Sequence, residues 1–193
     1  MPRSLDTYRS KRKGEATPEP MGEVGESEPA RASAPSSSNA FVVQQHLARR
    51  LHWDLRLEWN GVLLSWAVPH GPSYDPKDKP LAVETEDHPL EYGDFEGVIP
   101  TGNYGAGAMI VWDRGRLVPK EDFDLGFKKG KLLFELHGYK LHGLWTLVRI
   151  KKDPKNWLLI KERDGWARSN DDPEAQPFDP RSVLSGRCTW VQG

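Results

Sequence analysis

From Phe41 onward the chain alternates short β-branched or aromatic runs with turn signals. The runs are "FVVQQH", "HWDLRLEW", "LLSWAVP", "LAVET", "AMIVWDRG", "KLLFELHG", "LWTLVRI" and "WLLIKER". Between them fall Asn60-Gly61, Gly71-Pro72, Gly102-Asn103 and Asp113-Arg114-Gly115. Short strands at regular spacing with tight turns predict an all-β sandwich or barrel. In "EWNGVLLSW" an Asn-Gly pair joins two such runs, which is the strongest local hairpin signal in the chain. No long stretch has helical periodicity, and "DFDLGFKKG" predicts one helical turn or two.

The pattern is different ahead of Phe41. Residues Glu15 to Asn39, "EATPEPMGEVGESEPARASAPSSSN", carry almost no large apolar groups. Such a segment buries too little surface to offset its ordering entropy, so it predicts a flexible arm. The basic start "YRSKRKG" reads on composition as a solvated end. Residues 1–40 are therefore taken as an arm and 41–193 as a single β-barrel domain. Ser169 to Pro180 is polar and turn-rich, and is expected to wrap the surface.

Composition narrows the function classes. Formal net charge is −1, so nucleic-acid binding would need a local patch rather than a global field. The single cysteine, Cys188, excludes an internal disulfide framework and fits a reducing compartment. No run approaches the roughly 18 apolar residues of a membrane span, and the start lacks a signal-peptide core. The expectation is a cytoplasmic protein.

The candidate chemistry lies in "HLARRLHWDLRLEW", His46 to Trp59. Residues two apart share a face of a strand. His52, Asp54, Arg56 and Glu58 therefore point one way, and Leu51, Trp53, Leu55, Leu57 and Trp59 point to a core. His46 reaches the polar row if the chain bends through "LARR". One reading is the solvated outer face of a barrel strand. The other is a metal site, since two imidazoles and a carboxylate suit Mn, Fe or Zn, with an arginine shaped for phosphate beside it. In "VETEDHPLEYGDFEG", His88 and Tyr92 read either as a polar loop or as a proton-transfer or oxyanion pair. "GNYGAG" lacks the Lys-Ser/Thr of a phosphate loop, and "KERDG" is one residue too long for a nucleotidyl-transfer signature. Lys161 is taken as a surface strand residue. His137 and His142 flank a turn and are not read as ligands.

Taken together, "FVVQQHLARRLHWDLRLEWNGVLLSWAVPHGPS", "TEDHPLEYGDFEGVIPTGNYGAG" and "IVWDRG" closely resemble the 3′-phosphoesterase domain of bacterial DNA ligase D and its small stand-alone relatives. The resemblance runs from "KRKGEATPEP" near the start to "SVLSGR" near the end. It implies a β-barrel with the active site on one face and Mn²⁺-dependent trimming of DNA or RNA-tipped DNA 3′ ends in non-homologous end joining. A terminal ribonucleoside is removed first and the remaining 3′-phosphate second. Carried over by motif, His46, His52 and Asp54 are the metal ligands, and Arg56, His88 and Tyr92 surround the scissile phosphate. Glu19, in "TPEP", supports activity, and Arg12 matches an arginine of the N-terminal motif, which would order the arm partly over the site. The partners implied are a DNA ligase, a polymerase and Ku.

Three positions depart from the family pattern. Lys13 stands for a common aspartate, His70 for a common lysine and Pro80 for a common arginine. The substrate-phosphate clamp is thereby thinned while the metal triad is intact. A thinned clamp gives a second reading, a catalytically weakened DNA-end binding module. On ligand order alone, His-x-Asp followed by a distant His gives a third, a facial-triad iron oxygenase with His88 as its third ligand and His46 a bystander.

Overall fold

Asn60 and Gly61 take positive φ angles of 50° and 79°, the pair a type I′ turn needs to match strand twist. They join β2 (Leu51–Trp59) to β3 (Val62–Val68) as the sequence predicts. The computed structural model describes residues 4–12, 17–22, 39–173 and 177–189. The remaining strands are β1 (Asn39–Leu47), β4 (Leu81–Glu84), β5 (Gly97–Ile99), β6 (Gly107–Pro119), β7 (Lys131–Gly138), β8 (His142–Arg149) and β9 (Asn156–Lys161). Their order is β1-β2-β3-β4-β9-β8-β7-β6-β5, every pair is antiparallel, and β1 also pairs with β6. That pairing closes eight strands into a barrel and leaves β5 as an added edge. The expected all-β barrel is the fold.

Period-2 alternation sorts the side chains. Phe41, Val43, Leu55, Leu57, Leu64, Trp66, Phe134, Trp145, Leu147, Trp157 and Leu159 fill the interior. A second apolar cluster of Tyr8, Val42, Leu63, Tyr92, Phe95, Ile99, Met109 and Val111 lies on the other face of β1–β3 and β6. It is covered by a 3-10 helix over Leu90–Asp94 and by α1 (Asp6–Ser10). α2 (Phe123–Lys129) is the short helix read in "DFDLGFKKG", capped by Asp122, whose carboxylate accepts from Leu125 N at 2.8 Å.

Three sequence readings change. Asp113-Arg114-Gly115 is not a turn but part of β6. The β1–β6 register shifts beside it, between Val43 and Gln44, and Asp113 accepts the backbone amides of Tyr139, Lys140 and Leu141. It caps a distant turn rather than making its own. Lys161 is not a surface residue: it is 1 % exposed and follows Trp157 and Leu159 on the buried side of β9. Its ammonium is held by Leu144 O at 2.9 Å and Asp164 at 2.6 Å. Finally, residues 17–22 of the arm pack against the domain, with Glu19 buried; Lys13 and residues 23–38 lie outside the described residues. Among the described residues no helix is long and apolar enough to cross a membrane.

Candidate active site

The β1–β2 hairpin sets the site by register alone. His46 lies directly opposite His52, Gln44 opposite Asp54 and Val42 opposite Arg56. On the other side, Arg56 faces Ser65 of β3. These residues share the face turned away from the barrel interior. The face is not solvated, however: Gln44, His46, Asp54, Arg56 and Ser65 are all buried. The arm, the 3-10 helix and β5 cover what a barrel strand would otherwise show to water, a non-local effect that alternation cannot reveal.

Ligand-type atoms of His46, His52 and Asp54 all lie within 4.8 Å of one another. Asp54 sits between the imidazoles, 3.8 Å from His46 Nδ1 and 3.6 Å from His52 Nε2. Both separations are too long for hydrogen bonds. His46 Nε2 is buried without a partner. His52 Nδ1 lies 3.1 Å from Arg50 O. A carbonyl only accepts, so Nδ1 carries a proton, and Nε2 is the nitrogen turned toward Asp54. Burial opposes ionisation of Asp54, but Arg56, His46 and His52 outweigh it and hold the carboxyl well below the usual range. Two imidazoles and one carboxylate whose ligand atoms converge, with a buried imidazole nitrogen of His46 left without a partner, are a donor set that fits a divalent transition ion.

Arg56 is locked beneath this cluster. Its Nε donates to Gln44 Oε1 (2.6 Å), Nη1 to Ser65 Oγ (2.9 Å) and Nη2 to Asp54 Oδ2 (3.3 Å). Three of its five N–H groups are committed, and two remain for a ligand. Gln44 was missed as a site residue, although it lies two before His46 on the same face. It holds the 89–95 segment through bonds to Tyr92 O and Phe95 O.

His88 bridges to β3 through reciprocal backbone bonds with Leu63. Its Nδ1 lies 2.8 Å from Glu86 O, so that nitrogen is protonated, and Nε2 faces Arg12 Nη2 at 3.4 Å. Burial, then Arg56 and Arg12, push its pKa well below the ordinary value near 6.5. The ring is neutral at pH 7. Among the described residues His88 does not join the ligand cluster, so it is not the third ligand that the oxygenase reading made it.

Tyr92 is fully buried and its hydroxyl donates to Glu19 Oε1 at 2.8 Å. Burial keeps that phenol protonated. Glu19 also accepts from Arg12 Nε (2.8 Å) and Thr17 Oγ1 (2.7 Å). Arg12 stacks on Tyr8, 3.8 Å from the ring centroid, and pairs with Glu86 at 3.1 Å. Lys11 pairs with Glu86 at 2.9 Å. Glu86 and Tyr8 were also missed: Glu86 is two residues before His88, but nothing local marks its pairing with the arm.

A cleft of about 1130 Å³ opens onto the group and is lined by Arg12, Glu19, His46, His52, Asp54, Arg56, His88 and Tyr92. His70 and Pro80 do not line it; His70 is exposed, and Pro80 accepts the amide of Leu159.

Comparison with known proteins gives a concordant result. The profile of the DNA Ligase D 3'-phosphoesterase domain matches residues 44–149, a span that holds the ligand cluster, Arg56, His88 and Tyr92. A multifunctional non-homologous end joining protein LigD of Pseudomonas aeruginosa is 49% identical over 185 residues, covering 95% of this chain and 21% of its own length. The corresponding protein of Mycolicibacterium smegmatis is 42% identical over 188 residues, covering 94% and 23% respectively. The chain thus spans about a fifth of these relatives. With more than half of its length under the family profile and the buried cluster inside that match, this chain belongs to the DNA ligase D 3′-phosphoesterase domain family.

Proposed function

We propose that the cleft is the site of a manganese-dependent 3′-phosphoesterase that removes a terminal ribonucleoside and then a 3′-phosphate from DNA ends. The observation that carries this reading is the convergence of His46, His52 and Asp54 beside Arg56, which bonds Asp54, has two N–H groups uncommitted and lines the same cleft. When bound there, a divalent ion supplies Lewis-acid polarisation of a phosphate oxygen.

The chain's own residues do the rest. Arg56 meets the phosphate with its two uncommitted N–H groups and is kept in place by Gln44, Ser65 and Asp54. His88 enters neutral, its Nε2 lone pair accepting only a long 3.4 Å contact from Arg12 Nη2. A water oxygen attacks phosphorus as the P–O bond to the leaving oxygen breaks, and the proton that the water gives up ends on the leaving oxygen, with His88 Nε2 on the cleft wall to relay it. Glu19 and Tyr92 act by placement: the carboxylate aligns Arg12, and the phenol fixes the carboxylate. Residues 1–40 would serve as an arm completing a barrel domain of 41–193, working in the cytoplasm beside a ligase, a polymerase and Ku.

The test is a primer–template ending in a 3′-phosphate or one 3′-ribonucleotide, incubated with and without Mn²⁺ and resolved on a gel. The expected result is a shortened or dephosphorylated strand with Mn²⁺ alone, abolished in His52→Ala and Asp54→Ala. A second reading, a DNA-end binding module with weakened catalysis, rests on the commitment of Lys11, Arg12 and Arg56 to internal carboxylates. Tight binding of the same ends without product under any metal favours it.

A further inference from the structure

The cations around the cleft differ in how far they are already engaged. Lys11 is paired with Glu86, Arg12 with Glu19 and Glu86, and Arg56 with Asp54. Arg49 and Arg50, at the tip of the β1–β2 hairpin, also line the cleft, are exposed, and have no ion-pair partner among the described residues. The aromatic groups differ in the same way. Tyr92 is buried and bonded to Glu19, whereas Tyr104, on the 100–106 loop between β5 and β6, is 50% exposed.

The loop carrying Tyr104 is held against the ligand cluster. A Cβ on Gly105 would fall 3.8 Å from His46 Cε1, ordinary contact distance. At Gly107 a Cβ would fall 2.2 Å from Leu47 O, and its φ is 146°. Only glycine lets β6 begin that close to the hairpin tip. The Tyr104 ring is steadied on the arm side by Lys11, 4.8 Å from the centroid and 3.4 Å from the hydroxyl.

We propose that this rim seats the strand end: Arg49 and Arg50 hold backbone phosphates upstream of the reacting group, and Tyr104 stacks on the terminal base. The assignment rests on the 3′-end reading above and makes it more specific. Guanidiniums without an ion-pair partner among the described residues, on the same cleft as a half-exposed aromatic ring, are the two components by which single strands are held without sequence preference. The rim therefore selects a polynucleotide end over a free phosphate ester while remaining indifferent to the identity of the base.

The full chain without metal is titrated with a primer–template carrying a 3′-phosphate and 2-aminopurine as its last base. Fluorescence reports stacking and anisotropy reports binding, and neither needs turnover. Wild-type protein is expected to quench the probe. Tyr104→Ala should lose the quench and bind roughly 10- to 100-fold more weakly, while Tyr104→Phe keeps both. Arg49→Ala with Arg50→Ala should lower the slope of log affinity against log salt by about 1.4–1.8, the loss of two phosphate contacts. Unchanged quenching in Tyr104→Ala, an unchanged slope in the double variant, or no quench by wild-type protein overturns the seat. A normal quench and slope without product under any metal overturns the catalytic reading and leaves the seat standing.

Discussion

Arg56 illustrates how one buried side chain serves several neighbours at once. Lysine keeps its charge but lacks the planar fork, so Arg56→Lys cannot bond Gln44, Ser65 and Asp54 together. Each charge-assisted contact is worth about 1.5–3 kcal/mol, so loss of one that acts in the transition state should cut turnover by roughly 10- to 150-fold. Steady-state rates on a 3′-phosphate end check this, with the pKa of Asp54 expected to stay low because the lysine keeps the positive charge beside it. His88 carries a stability signature. Its folded pKa lies well below the ordinary value near 6.5, so between the two values the unfolded chain binds a proton that the native chain does not. Stability is present above about pH 6.5 and is lost as pH falls toward the folded value. Thermal melts of wild type should decline from pH 7 to 5, and in His88→Gln that decline should be shallower.

At the scale of elements, the arm and the hairpin divide the site between them. Glu19→Ala leaves the Tyr92 hydroxyl without its acceptor and the Arg12 guanidinium with Glu86 as its remaining ion pair, and a buried polar group left unsatisfied costs about 1–3 kcal/mol. The expected outcome is a lowered melting temperature and proteolytic cleavage near the arm, with Glu19→Gln milder in both. The β1–β2 hairpin was legible because period 2 and the turn chemistry are local: from "HLARRLHWDLRLEW" one reads which residues share a face. The turn at Asn60-Gly61 was legible for the same reason. What covers that face was not legible. Glu19 meets Tyr92 across 73 positions of sequence, and composition marks the arm's segment as unable to bury itself, which is true of the segment alone. Asp113 misled for the related reason that its three backbone partners lie 26 to 28 residues away.

For the whole molecule, alternation and turn spacing indicated a barrel, yet strand order and closure depend on β1 meeting β6, which no local pattern encodes. Lys161 belongs to this scale. A lysine on a β-rich run reads as surface, but the inward row of β9 brings it to the barrel's end, where Asp164 and two carbonyls receive it. Burial pulls its pKa down against the support of Asp164. Asp164→Ala should therefore destabilise the domain by about 3–5 kcal/mol, and Lys161→Met combined with Asp164→Ala by less, because no buried charge is then left unpaired. Urea denaturation of the three variants measures the difference.

The ligand atoms of the cluster all come from one hairpin, between His46 and Asp54. The segment joining them is short, so drawing them together costs little loop-closure entropy even before the barrel shuts. An ion held there would retain affinity for the unfolded chain, since the same three groups stay neighbours along it. Its effect on the melting temperature should then fall short of what its affinity for the native state implies, because stabilisation follows only the difference in binding between the two states. A titration of melting temperature against Mn²⁺, set beside a direct binding isotherm, would expose that gap. A site assembled from distant strands would show none.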